Sequence, residues 1–192
     1  MGLFLAAKAW EALSNVSYKI TIGRKGQSES LTLVFRPLDF DHLSGIQYIT
    51  DIDFGIHRNE YRGEKLIPAL DSGRLDEALI ERSRFWPKIS GRLQSIIDMR
   101  GILESPFSIY SFRSKRLPFH STLKATYLIY SDERQRGIFL FLDRDNMLCY
   151  CKSVFEMDSR DYKQNQTRWT VLEIIKRTWE AEQLIWVHPN YR

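Results

Sequence analysis

Two cysteines among 192 residues are too few for a disulfide scaffold. Cys149 and Cys151 stand two apart in an alternating run, so both leave one face of a strand, where such close neighbours do not easily bridge. They suit a reducing cytosol, and a cytoplasmic protein is expected. Histidine is equally sparse: His42, His57, His120 and His188 are too scattered to complete a zinc site around Cys-x-Cys, so no metal and no cofactor are expected. No apolar run approaches the ~18 residues of a spanning helix. The opening "MGLFLAAKAW" lacks a basic leader, is interrupted by Lys8 and reads as an amphipathic helix, so no membrane partner is expected. G-x-G-x-x-G, a P-loop, H-E-x-x-H and G-x-S-x-G are all missing, which sets aside the common dinucleotide, zinc-protease and serine-hydrolase chemistries. No repeat or low-complexity linker divides the chain, which reads as one domain over residues 1–192.

What is present is ordinary globular composition, 43% hydrophobic and 27% charged, with a net charge of +4 that tilts the partner class mildly towards polyanions. After the first helix, "SYKITIGRKGQSESLTLVFRP" carries two alternating runs around a Gly/Ser/Lys turn, a β-hairpin. Pro37 and Asp39 then open a helix through "DFDHLSGIQYI", with Asp39 as N-cap. Residues 64–104 are helical in pattern, with stripes at Leu75, Leu79 and Ile80 and at Leu93, Ile96 and Ile97, punctuated by Gly73, Pro87 and Gly91. From Phe107 the period switches to two, giving strands near "FSIYSF", "KATYLIYS", "GIFLFLDR", "LCYCKSVFE", "RWTVLEIIKR" and "QLIWVH". Short connections at "DERQR" and "RDNM" argue for hairpins, and the order of elements predicts an α+β fold with an antiparallel sheet of about four to five strands.

His42 lies one turn before Ile46 at the edge of a buried stripe; a packed structural ring is the plain reading, a proton carrier the functional one. Lys124 stands at a strand entrance beside the hydroxyls of Ser121 and Thr122. Alternation places Ser153 on the face of Cys149, Cys151 and Phe155, as a filler or a deliberate donor. "RDYKQNQTRWTVLE" gathers Arg160, Tyr162, Lys163, Asn165, Gln166, Arg168, Trp169 and Thr170, the mixture of cations, amides and aromatic faces that RNA binding uses. On that strand Trp169 and Val171 share one face, Arg168 and Thr170 the other. "SFRSKRLPFH" offers Arg113, Lys115 and Arg116 to a phosphate backbone, unless it is simply a solvated loop. Aspartates in "DIDF" and "DRD" leave a magnesium nuclease open, although Asp143 and Asp145 fall where a hairpin turn wants Asp.

"LTLVFRPLDFDHLSGI", "GIFLFLDRD" and "CKSVFEMDSRDYKQNQTRWTVLEI", in that order, resemble the phage-associated members of the barnase, EndoU, colicin and RelE-like (BECR) ribonuclease assemblage, specifically its fourth phage subgroup. The resemblance runs from about Tyr18 to Lys176; its sharpest marks are Phe-x-x-Leu-x-Gly around His42, Tyr-x-x-x-Gln at Tyr162 and Gln166, and the Thr-Val-Leu strand. It implies helices followed by a four-stranded antiparallel sheet, with RNA, tRNA or rRNA first, bound across one sheet face and cleaved without metal. By motif position it carries over His42, Ser153, Tyr162, Gln166 and Thr170, while Lys124 and Arg168 rest on their chemistry. Residues 62–104 depart from the minimal fold as a helical insertion or a partner surface. The expected activity is a toxin-like or effector-like endoribonuclease of a phage or mobile element, with a protein antidote or host protein as further partner. The alternative is a non-catalytic, nuclease-like module that binds RNA or inhibits a host protein through an exposed Phe85 and Trp86.

Overall fold

The computed structural model describes residues 2–132 and 136–191. Helix α1 (Gly2–Ser14) leads into a hairpin of β1 (Ser17–Arg24) and β2 (Gln27–Val34). The hairpin turns on Lys25 and Gly26, both at positive φ, the geometry that matches the twist of two-residue hairpins. Short helices α2 (Asp39–Ser44), α3 (Leu66–Asp71) and α4 (Glu77–Glu81) precede the long α5 (Trp86–Leu103). Strands β3 (Ser108–Ser111), β4 (Tyr127–Ser131), β5 (Ile138–Asp145), β6 (Leu148–Glu156), β7 (Thr167–Arg177) and β8 (Glu182–Val187) follow.

These strands do not form the expected sheet of four to five, nor the four-stranded sheet implied by the resemblance. Seven close into a barrel in the order β1-β2-β6-β5-β4-β3-β7 and back to β1, and β8 is added on β7. Two long-range pairings make the difference. β2 runs parallel to β6, with Thr32–Val34 opposite Leu148–Tyr150, and β1 runs antiparallel to β7, with Tyr18 opposite Lys176. The N-terminal hairpin thus fills the gap a C-terminal meander would leave open, and closure removes the edges that an open sheet must protect.

Inside the barrel, Ile138, Leu140 and Leu142 of β5 join a core shared with Leu3, Trp10, Ile89, Leu93 and Ile96 of the helices. The alternate residues Phe139 and Phe141 face outwards into a second cluster with Phe112, Leu117, Leu128 and Tyr162, so β5 is apolar on both faces, as its sequence predicts. Strand β6 departs from prediction. Phe141 pairs with Ser153 and Leu142 with Cys151, which leaves Lys152 as a bulge. One extra residue shifts the two-residue period, so Cys149, Cys151 and Val154 enter the main core while Phe155 joins the outer cluster. Ser153 therefore does not share the cysteines' face. Both cysteines are free and buried, and burial pushes the Cys149 thiol up to about 11.

Helix α2 is shorter than expected because Gly45, at φ 81°, ends it in the left-handed conformation. Asp39 is not its N-cap; Arg36 grips that carboxylate with two bonds of 2.7 and 2.8 Å. A Cβ on Gly45 would meet Ile89 Cγ2 at 2.9 Å, so α5 also approaches too closely for a side chain there. In α5 itself, Pro87 sits in the first turn, where its missing N–H costs nothing, and Ile89, Leu93, Ile96 and Leu103 point to the core. Gly91 does not break this helix. Phe85 and Trp86 are half-buried against the core rather than exposed. Asp143 and Asp145 end β5, and the turn itself falls on Asn146 and Met147. Most of the Asp132–Arg136 connection, residues 133–135, lies outside the described residues.

Candidate functional site

The bulge in β6 opens onto a cleft of about 590 Å³ on the outer side of the barrel. It is bordered by His42 from α2, Arg92 from α5, Lys124 from the loop before β4, and Lys152 and Ser153 from β6, with Tyr162 and Arg160 beyond. Of the residues singled out in the sequence, His42, Lys124, Ser153 and Tyr162 come together here. His42 is exposed and also borders an adjoining cleft of about 430 Å³ with Lys152 and Arg36. Lys124 belongs to the loop three residues before the strand begins. Ser153 is nearly buried, and among the described residues its hydroxyl has no hydrogen-bond partner.

Cations outnumber free carboxylates in this cleft. Its two acids are already paired: Glu156 accepts from Arg136 at 2.9 Å, and Asp158 accepts from Arg160 Nε at 3.0 Å. The Arg160 hydrogen bonds hold the Asp158 carboxyl below its usual range, against the opposing effect of burial. Lys152 approaches Asp143 only at 4.0 Å. Among the described residues, Lys124 and Arg92 pair with no carboxylate. Arg36, Arg144 and Arg160, which border the same two clefts, are each matched to Asp39, Glu29 and Asp158. Arg92 is held by aromatic rings instead, 5.6 Å from the centre of Tyr48 and 6.0 Å from that of Phe155. Its fork of donors is left for a ligand.

Arg92 escapes the sequence reading because the helical middle shows only its apolar stripes there. The usable signal is its place beside Leu93 and three residues after Ile89, the same stripe-edge position that singles out His42.

Tyr162 contributes differently from expectation. Its ring is 3% exposed and packs against Phe119, Phe139, Phe141 and Phe155 at 5.2 to 5.5 Å, so its faces are committed to the outer cluster. Burial raises its phenol pKa, with Arg160 pulling the other way. Arg113, Lys115 and Arg116 border a further cleft of about 570 Å³, which shares Lys124 with the first. Gln166 lines none of these three clefts; its amide is bonded to the Arg113 backbone. Arg168 and Thr170 line none of them either. Both are exposed on β7, Arg168 donating to Ser108 Oγ at 3.1 Å and Thr170 lying opposite Gly23, while Trp169 packs on the core.

The aspartates of "DIDF" serve local structure: Asp51 binds Ser83 Oγ and the Arg84 N–H, and Asp53 accepts from the Gly55 N–H. Among the described residues, no three of His, Cys, Asp and Glu gather as metal ligands, and no helix is long and apolar enough to cross a membrane.

The sequence pattern of the family described as phage-Barnase-EndoU-ColicinE5/D-RelE like nuclease4 matches residues 3–186, from α1 into β8. The chain belongs to this family. The match agrees with the resemblance carried by the motifs around His42 and Gln166, and it runs through the helical middle that supplies Arg92. No curated protein and no solved structure matches this phage nuclease.

Proposed function

We propose that this nuclease is an endoribonuclease that cleaves by attack of the 2′-hydroxyl on the adjacent phosphodiester, without a metal ion, in the cleft between α2, α5 and β6. The reaction needs a proton acceptor for the 2′-hydroxyl, positive charge around the pentacoordinate phosphorane and a proton donor for the departing 5′-oxygen. His42 is the proton carrier, since an imidazole nitrogen can both accept and donate a proton and this ring stands exposed at the cleft border. Arg92 and Lys124 hold the non-bridging phosphate oxygens, and the Ser153 hydroxyl adds a neutral donor. The 2′-hydroxyl proton passes to the His42 imidazole as the bond from the 2′-oxygen to phosphorus forms, and the bond to the 5′-oxygen breaks as that oxygen takes a proton from solvent water, leaving a 2′,3′-cyclic phosphate and a 5′-hydroxyl. The observation that carries this reading is the pair of unmatched cations, Arg92 and Lys124, facing one cleft whose own carboxylates are taken.

Cytoplasmic tRNA or rRNA is the substrate this reading expects, in a toxin or effector role with an antidote or host protein as further partner. The test is incubation of the full chain and His42→Ala with labelled tRNA, rRNA and single-stranded DNA in EDTA. Cleavage of RNA alone, by the wild type alone, with cyclic phosphate ends, supports the proposal. Cleavage that requires magnesium and extends to DNA sinks it in favour of a metal-dependent nuclease, and intact substrates throughout favour a binding module.

A further inference from the structure

We infer that the neighbouring cleft of about 570 Å³ is a subsite for phosphates flanking the scissile bond, and that Gln166 is the positioning residue that shapes this subsite. The inference rests on the ribonuclease reading and adds to it the span of the substrate.

Four cations border this cleft, Arg113, Lys115, Arg116 and Lys124, and among the described residues none is matched to a carboxylate. The one carboxylate among its bordering residues, Asp143, accepts from the Arg144 N–H at 3.0 Å and the Thr126 hydroxyl at 3.4 Å. Arg116 spends one donor on the neutral Thr167 hydroxyl at 3.0 Å and keeps the others. So much unneutralised charge around one depression is a site for a polyanion. Because Lys124 borders both clefts, the ligands of the two are neighbours, as successive phosphates of one strand are.

The basic residues flank and form a single 3-10 turn, Ser114–Arg116, too short to hold its own shape. Gln166 holds it. Its side-chain oxygen accepts from the Arg113 N–H at 2.8 Å and its side-chain nitrogen donates to the Arg113 carbonyl at 3.3 Å. Since Ser111 and Thr167 pair across β3 and β7, this amide acts as one further rung of that ladder. Asn165 adds a bond of 3.2 Å to the Arg116 carbonyl. The charges are thereby fixed before any ligand arrives, which lowers the ordering cost of binding.

The experiment compares a dinucleoside monophosphate with an RNA of about 12 nucleotides, using the full chain, the triple variant Arg113→Ala/Lys115→Ala/Arg116→Ala, and Gln166→Ala, each confirmed folded by circular dichroism. The triple variant is expected to lose the wild-type preference for the long RNA by about tenfold or more, through KM rather than kcat. Its log KM should also depend less steeply on log salt, by about 2 for three lost phosphate contacts. Gln166→Ala should move KM the same way by less. An unchanged preference and salt slope in the triple variant overturns the subsite, and an unchanged Gln166→Ala overturns the positioning role. If the wild type cleaves neither RNA, the ribonuclease reading has failed, and fluorescence anisotropy with the same RNA decides the subsite. Weaker, less salt-sensitive binding by the triple variant supports it, and equal binding overturns it.

Discussion

Arg92 on α5 places its guanidinium 6.0 Å from the centre of the Phe155 ring on β6. Helix and barrel thus meet at the cleft, and the contact aims a cation with no acidic partner among the described residues. If it holds the phosphorane, Arg92→Ala should lower kcat by about 10² to 10³ with a smaller change in KM. Arg92→Lys keeps the charge without the planar fork and should recover less than about a tenth of the lost rate. Steady-state kinetics on the short substrate read this directly; a pure KM effect would assign Arg92 to binding alone.

Removing Lys152 separates fold from function. With the bulge deleted, β6 alternates regularly while Cys149, Cys151 and Val154 still face the core. The deletion variant should stay folded, with melting within a few degrees of wild type, yet lose about 10²-fold or more in turnover because the irregularity that opens β6 onto the cleft is gone. Lys152→Ala keeps the bulge and should lose much less. Thermal melts alongside kinetics check both, and collapse of the fold on deletion would assign the bulge to stability.

Gly45→Ala should destabilise by roughly 2 to 4 kcal/mol, combining the left-handed backbone with overpacking against Ile89. Urea denaturation reads the loss, and a change below about 1 kcal/mol would show that α5 yields at this contact.

Glu104 ties the end of α5 to the barrel, one carboxylate oxygen accepting from Tyr18, Lys176 and Arg100 at 2.8 to 3.0 Å. Burial pushes its pKa up, but these three donors outweigh burial and hold it below the ordinary value of 4.5. The unfolded chain therefore takes up a proton first as pH falls. The contribution of Glu104 is fully present above about pH 4.5 and is lost as pH drops through the folded value. The urea midpoint of the wild type should fall more steeply than that of Glu104→Gln between about pH 5 and pH 3. Parallel curves would mean that other carboxylates carry the acid sensitivity.

Local order was legible in the residues. The β1–β2 hairpin, the two-sided apolar strand β5, the β8 segment and the opposed faces of Trp169 and Arg168 all follow from period and turn chemistry. Barrel closure was not, because nothing local in Thr32 or Tyr18 announces Leu148 or Lys176 as partners. The facing of Ser153 was hidden by a single uncounted residue, Lys152. At the candidate site, His42 and Lys124 are singled out by residue type, whereas Arg92, which shares the stripe-edge position, joins them only because α5 packs beside α2, as the Gly45–Ile89 approach shows. Gln166 was noticed for its amide, and only the β3–β7 register reveals that the amide is spent on backbone.

The seam between β1 and β7 also imposes an order in time. Ser17–Gly23 are synthesised early, yet their partners, Thr170–Arg177, emerge only after both hairpins of the C-terminal meander. The barrel cannot close on a nascent chain until β7 has left the ribosome, and closure over so long a loop is a slow step. The segment that completes the seam is also the one that carries Gln166 to Arg113. Closure of the barrel and anchoring of the Arg113 turn are thus one event, which waits for β7.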